Sequence, residues 1–197
     1  VPLSQGWKCL ESIYVGGQIS ADKQGNPVHV GDVVPQTSAI YNFIDEVVKD
    51  SGSSLNDVAH LKICYKHNSV DPEGKPLLAK IIDVTKERFG KHSPAITCFG
   101  VDLLYPGLVL EIDAMAFKSR HERIKMEPAL GSGYDGNFAD AISANEETWV
   151  GGQEPWDDSG NLLCEGDNSG QVKVVFDKLE KVLHESGLTV DDIVKLN

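Results

Sequence analysis

Glu111 stands between Leu110 and Ile112 in an apolar run over residues 108–117. If that run is a strand, alternation turns Glu111 to the face opposite both neighbours. On an open face it is a solvated carboxylate. In a partly desolvated cleft its pKa rises and it can serve as general acid or base. Cys98 closes a second apolar stretch, Pro94-Ala95-Ile96-Thr97-Cys98. A cysteine attacks as its thiolate, which needs an electropositive setting. The sequence fixes no lysine or histidine beside Cys98, so inert packing or a backbone role is the expectation. Gly16-Gly17 lacks the Gly-x-Gly-x-x-Gly spacing and the lysine of phosphate loops, and reads as close backbone approach within a sheet. His60, His67, His92 and His121 show no metal-ligand spacing. His92, in a loop just ahead of Pro94, is placed to reach a cleft or to stay on the surface. Trp156, in the polar stretch Glu154-Pro155-Trp156-Asp157-Asp158, is either an interface anchor or packed under its own loop.

The bulk numbers narrow the setting for this chemistry. Thirty acidic against 18 basic residues give a net charge of −12, which repels phosphate backbones and disfavours nucleic-acid binding. The most basic run, from Lys118 to Lys125, is mixed in sign and reads as a solvated linker. Apolar residues make up 41%, enough for a core. No apolar run approaches the roughly 18 residues of a membrane span. Cys9, Cys64, Cys98 and Cys164 form no Cys-x-x-Cys pair, which points to a reducing compartment, the cytosol.

The elements that must position these residues occur twice. Tyr14-Val15-Gly16-Gly17-Gln18 returns as Trp149-Val150-Gly151-Gly152-Gln153. In the same register Asp22 meets Asp157, Gly25-Asn26 meets Gly160-Asn161, and Gly31-Asp32 meets Gly166-Asp167. Gln36 then meets Gln171, and Ser51-Gly52 meets Ser186-Gly187. Glycines matching glycines imply matching turns.

The first copy is expected to open with a strand over 12–19. A Gly-Asn turn then leads into a short strand around 28–30, followed by a helix over 35–50 stopped by Gly52. A turn at 54–57, a strand at 58–65, a helix at 77–89 and strands at 95–103 and 108–117 complete it. The order ββαβαββ implies an α+β sheet with helices on one face. Residues 1–117 form a complete domain and 118–136 a linker, flexible at Gly131-Ser132-Gly133-Tyr134-Asp135-Gly136. Residues 137–197 carry the first half of a second domain. In it Val174, Val175, Leu179, Val182 and Leu183 face inward from a helix, and a strand begins near Ile193. That half-sheet leaves edges unpaired. The chain is then either a fragment of a longer tandem protein, the favoured reading, or a half-domain packed on the first domain or on a neighbour.

Several motifs together resemble the Rid/YjgF family of enamine/imine deaminases, long described as endoribonuclease L-PSP. They are Pro2-Leu3-Ser4-Gln5, Val15-Gly16-Gly17-Gln18-Ile19, Pro94-Ala95-Ile96-Thr97-Cys98, Leu104-Tyr105-Pro106-Gly107, and Val109-Leu110-Glu111-Ile112-Asp113-Ala114-Met115-Ala116. The resemblance implies a chorismate-mutase-like fold, assembly as a homotrimer or a pseudo-trimer, and sites in clefts between units. It also implies hydrolysis of a small enamine or imine without metal or organic cofactor. By position, Glu111 is the catalytic glutamate that places water. Ile96, Thr97, Cys98, Leu3 and Gly16 are the substrate-binding set. Two positions depart from the family pattern: Ile96 stands where an arginine grips the substrate carboxylate, and Leu3 where a tyrosine closes the pocket.

The first departure is costly. Removing the arginine from a buried carboxylate site costs about 2–5 kcal/mol, roughly thirty- to several-thousand-fold in affinity. Isoleucine offers no donor in its place. The resemblance with this change implies a divergent hydrolase for a small enamine, imine or related metabolite. The alternative is a non-catalytic small-molecule-binding or scaffolding module. A ribonuclease is disfavoured by the acidic charge.

Overall fold

The computed structural model describes residues 4–103, 105–118, 121–126 and 138–197. The Gly131–Gly136 stretch, Leu3 and Leu104 lie outside these. The first copy folds as β1 (Gly6–Cys9), β2 (Ser12–Gln18), α1 (Val33–Asp50), β3 (Val58–Lys66), α2 (Leu77–Phe89), β4 (Ala95–Val101) and β5 (Leu110–Phe117). The strands form one sheet in the order β1-β2-β5-β3-β4. β3 and β4 run parallel, and the other neighbours are antiparallel.

The order is the expected ββαβαββ, but the first strand is a different segment. Residues 28–30 form no strand, and Gly6–Cys9 supplies the missing partner of β2. The reason is local. The Asp22 carboxylate accepts the N–H groups of Gln24 and Asn26, both at 2.9 Å, and folds the chain into a side-chain-closed turn. His29 then takes φ 54° and Gly31 φ 74°. Two left-handed residues in three cannot continue an extended strand. They steer the chain into α1 instead.

Both helices lie on one face of the sheet. Ile40, Ile44 and Val48 of α1, with Leu77 and Ile81 of α2, pack on Ile13, Val15, Leu61, Ile63, Leu110 and Ile112. Tyr41 ties the helices together: its ring meets Phe89 edge-on at 5.2 Å, and its hydroxyl bonds Thr85. Gln36 joins α1 to the loop before β5. Its Nε2 donates to the carbonyls of His29 at 2.9 Å and Gly107 at 2.7 Å, and its Oε1 accepts from the Val109 N–H at 3.0 Å.

The second copy repeats this geometry. β7 (Ala141–Ala144), β8 (Glu147–Val150) and α3 (Asn168–Glu185) follow β6 (Glu122–Ile124). α3 starts and ends 135 residues after α1. Asp157 closes its turn on Ser159 and Asn161 as Asp22 does on Gln24 and Asn26. Cys164 takes φ 52°, matching His29. The capping pair Ser54/Asp57 returns as Thr189/Asp192.

Three expectations need correction. The linker run is not simply solvated: Glu122–Ile124 pairs with β7, Ile124 is buried, and Arg123 donates to the Lys91 carbonyl at 2.8 Å. No strand begins at Ile193, because a strand needs a partner and none lies beside it among the described residues. On α3, Val182 and Leu183 are buried, whereas Val174, Val175 and Leu179 are only half-buried.

The β7–β8 hairpin covers part of the helix-free face of the first sheet. Ala139, Ile142 and Ala144, with Trp149, pack on Ala59, Met115 and Phe117. Residues Glu111, Asp113, Lys62 and Cys64 of the same face stay clear of that cluster.

Candidate functional site

The residues named from sequence fall into two places. Glu111 lies on β5 opposite Cys64 of β3, and Cys64 lies opposite Phe99 of β4. Adjacent strands are about 4.8 Å apart, so Glu111 stands on the order of 10 Å from the Ile96–Thr97–Cys98 strand. The first copy alone does not bring its glutamate and its cysteine together.

The Glu111 half lines a cavity of about 220 Å³, with Ile19, Lys62, Cys64, Tyr105 and Asp113 among its walls. Lys62 reaches the Asp113 carboxylate at 3.6 Å across neighbouring strands. Burial pushes the Glu111 carboxyl above its ordinary value, and the Asp113 charge adds to this. Lys62 works in the opposite direction. The local backbone makes room for the carboxylate. The β2–β5 pairing slips between Val15 and Gln18, a bulge at Gly16-Gly17. A Cβ at Gly17 would collide with the Glu111 side chain. This glycine therefore serves close approach, as its sequence position implied. Gly16, which the resemblance places in the substrate-binding set, donates its N–H to the Gln5 carbonyl at 3.0 Å.

The Ile96–Cys98 half is the outer strand of the sheet. Ile96 and Cys98 pack against the helix-side core, while Thr97 turns to the other face. There its hydroxyl bonds His60 Nε2 at 2.9 Å, and the His60 ring lies 5.6 Å from Trp149 of the second copy. Burial, reinforced by Lys62, lowers His60 to about 4, so it is neutral at pH 7. Cys98 is pushed up to about 12, first by burial, then by Glu154 and Cys64. A thiol so protonated is not an activated nucleophile. The inert reading of Cys98 fits this environment.

The second copy meets this strand with its own glycine pair. Gly152 donates its N–H to the Ile96 carbonyl at 2.8 Å, and Ala139 donates to the Pro94 carbonyl at 3.2 Å. A Cβ on Gly151 would stand 3.1 Å from the Ile96 oxygen, and one on Gly152 would stand 3.1 Å from the Thr97 methyl. By the repeat, Gly151-Gly152 are the counterparts of Gly16-Gly17. The glycine pair that borders Glu111 in the first copy borders Ile96 and Thr97 in the second. The place of His60 at the joint between the copies and the Lys62–Asp113 pair are not visible in the sequence, because period-two alternation on residues 58–65 does not reveal which strands lie on either side. Among the described residues no group of three or more His, Cys, Asp or Glu side chains could hold a metal ion. No helix among them is long and apolar enough to cross a membrane.

A mixed sheet with both helices on one face and a glutamate-lined cavity on the other defines an α+β, chorismate-mutase-like protein. The chain belongs to the Endoribonuclease L-PSP family, whose model matches residues 1–118 and 133–197. It is 31% identical over 117 residues to a RutC family protein of Pyrococcus abyssi, covering 59% of this chain and 87% of that protein. It is 31% identical over 115 residues to the 3-aminoacrylate deaminase RutC of Acinetobacter baylyi, covering 58% and 86%. A crystal structure described as an endoribonuclease from Thermotoga maritima matches with a TM-score of 0.53 and 26% identity, over 61% of this chain and 89% of that one.

Proposed function

We propose that this protein hydrolyses a small enamine or imine, with Glu111 positioning and activating the attacking water. The observation that carries the reading is the Glu111 carboxyl, held over a cavity with its proton affinity raised by burial. An enamine first takes a proton at its β-carbon and loses one from nitrogen to become the imine. Water then adds to the C=N carbon, its first proton passing by way of Glu111 to the nitrogen; the hydroxyl of the resulting carbinolamine gives up the second to the nitrogen as the C–N bond breaks, leaving a ketone or aldehyde and ammonia. A carboxyl of raised pKa suits both proton transfers. Membership of a family that includes a 3-aminoacrylate deaminase supports an enamine-class substrate.

The substrate differs from that relative's in one respect. With Ile96 in place of arginine, recognition does not rest on a carboxylate. The cavity walls carry Asp102, Glu111 and Asp113 against Lys62, a balance that disfavours anions. The partner is therefore a neutral or cationic small molecule rather than nucleic acid. The assembly is a trimer or a pseudo-trimeric arrangement of its units, as the family resemblance implies. The setting is the cytosol, which the four unpaired thiols suit. The test is release of ammonia from a panel of imines generated by an amino-acid oxidase, compared between the wild type and Glu111→Gln.

A second reading has its own support. The second copy caps the Ile96–Cys98 strand, and Glu111 lies two strands away from it. This separation favours a module that binds a small molecule without turning it over, and saturable binding with no ammonia released would select it.

A further inference from the structure

Four side chains on the helix-free face stand as a two-by-two block. Lys62 and Cys64 are two apart on β3, and Glu111 and Asp113 are two apart on β5, so all four point to one side. The register sets Lys62 opposite Asp113 and Cys64 opposite Glu111. Directly opposite side chains start about 4.5–5.5 Å apart, and diagonal ones about 7–8 Å apart. Lys62 therefore stands nearer Asp113 than Glu111, and its Nζ reaches the Asp113 carboxylate at 3.6 Å.

All four line the cavity, and Lys62 is the one basic residue in its walls. The walls hold three carboxylates. Asp102 lies 3.8 Å from His67 Nδ1, and among the described residues Asp113 alone is within ion-pair distance of Lys62. The pair does little for folding. Its side chains are 45% and 40% exposed, and exposed ion pairs add little stability. Its consequence is felt inside the cavity. Ile96 offers no donor and sits two strands away, so Lys62 is the one cation that could meet a substrate carboxylate beside Glu111. Asp113 already neutralises that cation. It would also stand as a like charge beside any carboxylate that approached.

We infer that Asp113 is a specificity-determining residue of the Glu111 cavity: by pairing with Lys62 it turns a latent carboxylate receptor into a site for substrates without a carboxylate. This role rests on the proposed hydrolysis for the identity of the substrates. They are imines or enamines whose neighbouring group is an amide, an alkyl chain or a cation rather than a free acid. The same charge favours the chemistry. After burial, Asp113 is what raises the Glu111 carboxyl, and Lys62 opposes it.

The test measures binding apart from turnover. Pyruvate and its neutral amide, pyruvamide, are titrated into the full chain and followed by the backbone amide shifts of the cavity residues. The wild type should bind pyruvamide more tightly than pyruvate. In Asp113→Asn the preference should move toward pyruvate by about tenfold, a modest value because the pair is half-exposed. The gain should vanish when Lys62→Met is added, and it should shrink in high salt. The kcat/KM ratio for the matching carboxylate and amide imines should move the same way. A wild type that takes pyruvate as well as pyruvamide overturns the role of Asp113. So does an unchanged preference in Asp113→Asn, a gain that survives the loss of Lys62, or no binding of either probe at tens of millimolar. If the preference moves and no variant releases ammonia, Asp113 keeps its role and the hydrolytic reading falls. If ammonia is released and the preference stays fixed, the hydrolytic reading stands and the role of Asp113 falls.

Discussion

The Gly152 N–H donates to the Ile96 carbonyl at 2.8 Å, so the second copy holds the outer strand of the first at the position where the family pattern places an arginine. A side chain at the centre of this contact would crowd Thr97. In Gly152→Val the new Cβ would start 3.1 Å from the Thr97 methyl, and its branches would come closer. Overpacking of this kind costs about 1–3 kcal/mol. The hairpin should lift from the strand while the first core stays folded. Hydrogen exchange checks this: the backbone amides of residue 152 and Ala139, the two donors across the joint, should exchange faster in the variant, and those of Ile63 and Ile112 should be unchanged.

Gly17 has the corresponding role beside Glu111. A methyl group there meets the Glu111 carboxylate directly, so Gly17→Ala must push the side chain from its cavity. The expected result is a fall in imine hydrolysis of about tenfold or more, the low end of what positioned acid–base groups contribute. The denaturant midpoint should move little. Steady-state rates and unfolding curves on the same preparation separate the two effects.

His60 gives the joint between the copies a pH dependence. In the unfolded chain it titrates near 6.5, and in the folded protein near 4. Between those values the unfolded chain takes up a proton that the folded one refuses. Stability is therefore fully present above pH 6.5 and falls as the pH drops toward about 4. At about 1.4 kcal/mol per pH unit the loss is at most about 3.5 kcal/mol. Glu111 works the other way, since its raised pKa favours the folded state on acidification. Comparing the wild type with His60→Leu at pH 7.5 and pH 4.5 isolates the histidine: the stability difference between the two pH values should shrink in the variant.

The paired glutamines offer a direct comparison between the copies. Gln36→Ala would leave the Val109 N–H and the Gly107 and His29 carbonyls without their partner in a buried place. The expected loss is about 2–4 kcal/mol. Gln171→Ala removes one long bond to Leu163 and should cost less than about 1 kcal/mol. Urea midpoints of the two variants should differ in that order.

Much of this architecture is legible in the sequence, for identifiable reasons. The residues 77–89 helix, the α+β order and the 135-residue register follow from periodicity and from glycines matched to glycines. The β1 strand is not legible: Gly6–Cys9 is short and mostly exposed, so it carries no apolar alternation. Residues 28–30 look extended because Val28 and Val30 flank His29, and the left-handed φ at His29 is invisible in residue type. At the site, Glu111 is singled out by its place in the closing strand, and the raised, protonated thiol of Cys98 accords with the lack of a cation fixed beside it in the sequence. Two relations are not legible: the distance between Glu111 and Cys98, and the docking of Gly152 on Ile96. Both depend on strand order and on packing between copies, which local pattern does not encode.

The proposed activity, hydrolysis of small enamines or imines that need no carboxylate, turns on Glu111. Its most direct test is the rate of ammonia release from a neutral imine, measured for the wild type and for Glu111→Gln at equal, folded concentrations. Acceleration over buffer by the wild type and a loss of about 10²-fold or more in the variant are expected. A wild-type rate equal to buffer, or a variant as fast as the wild type, would contradict it.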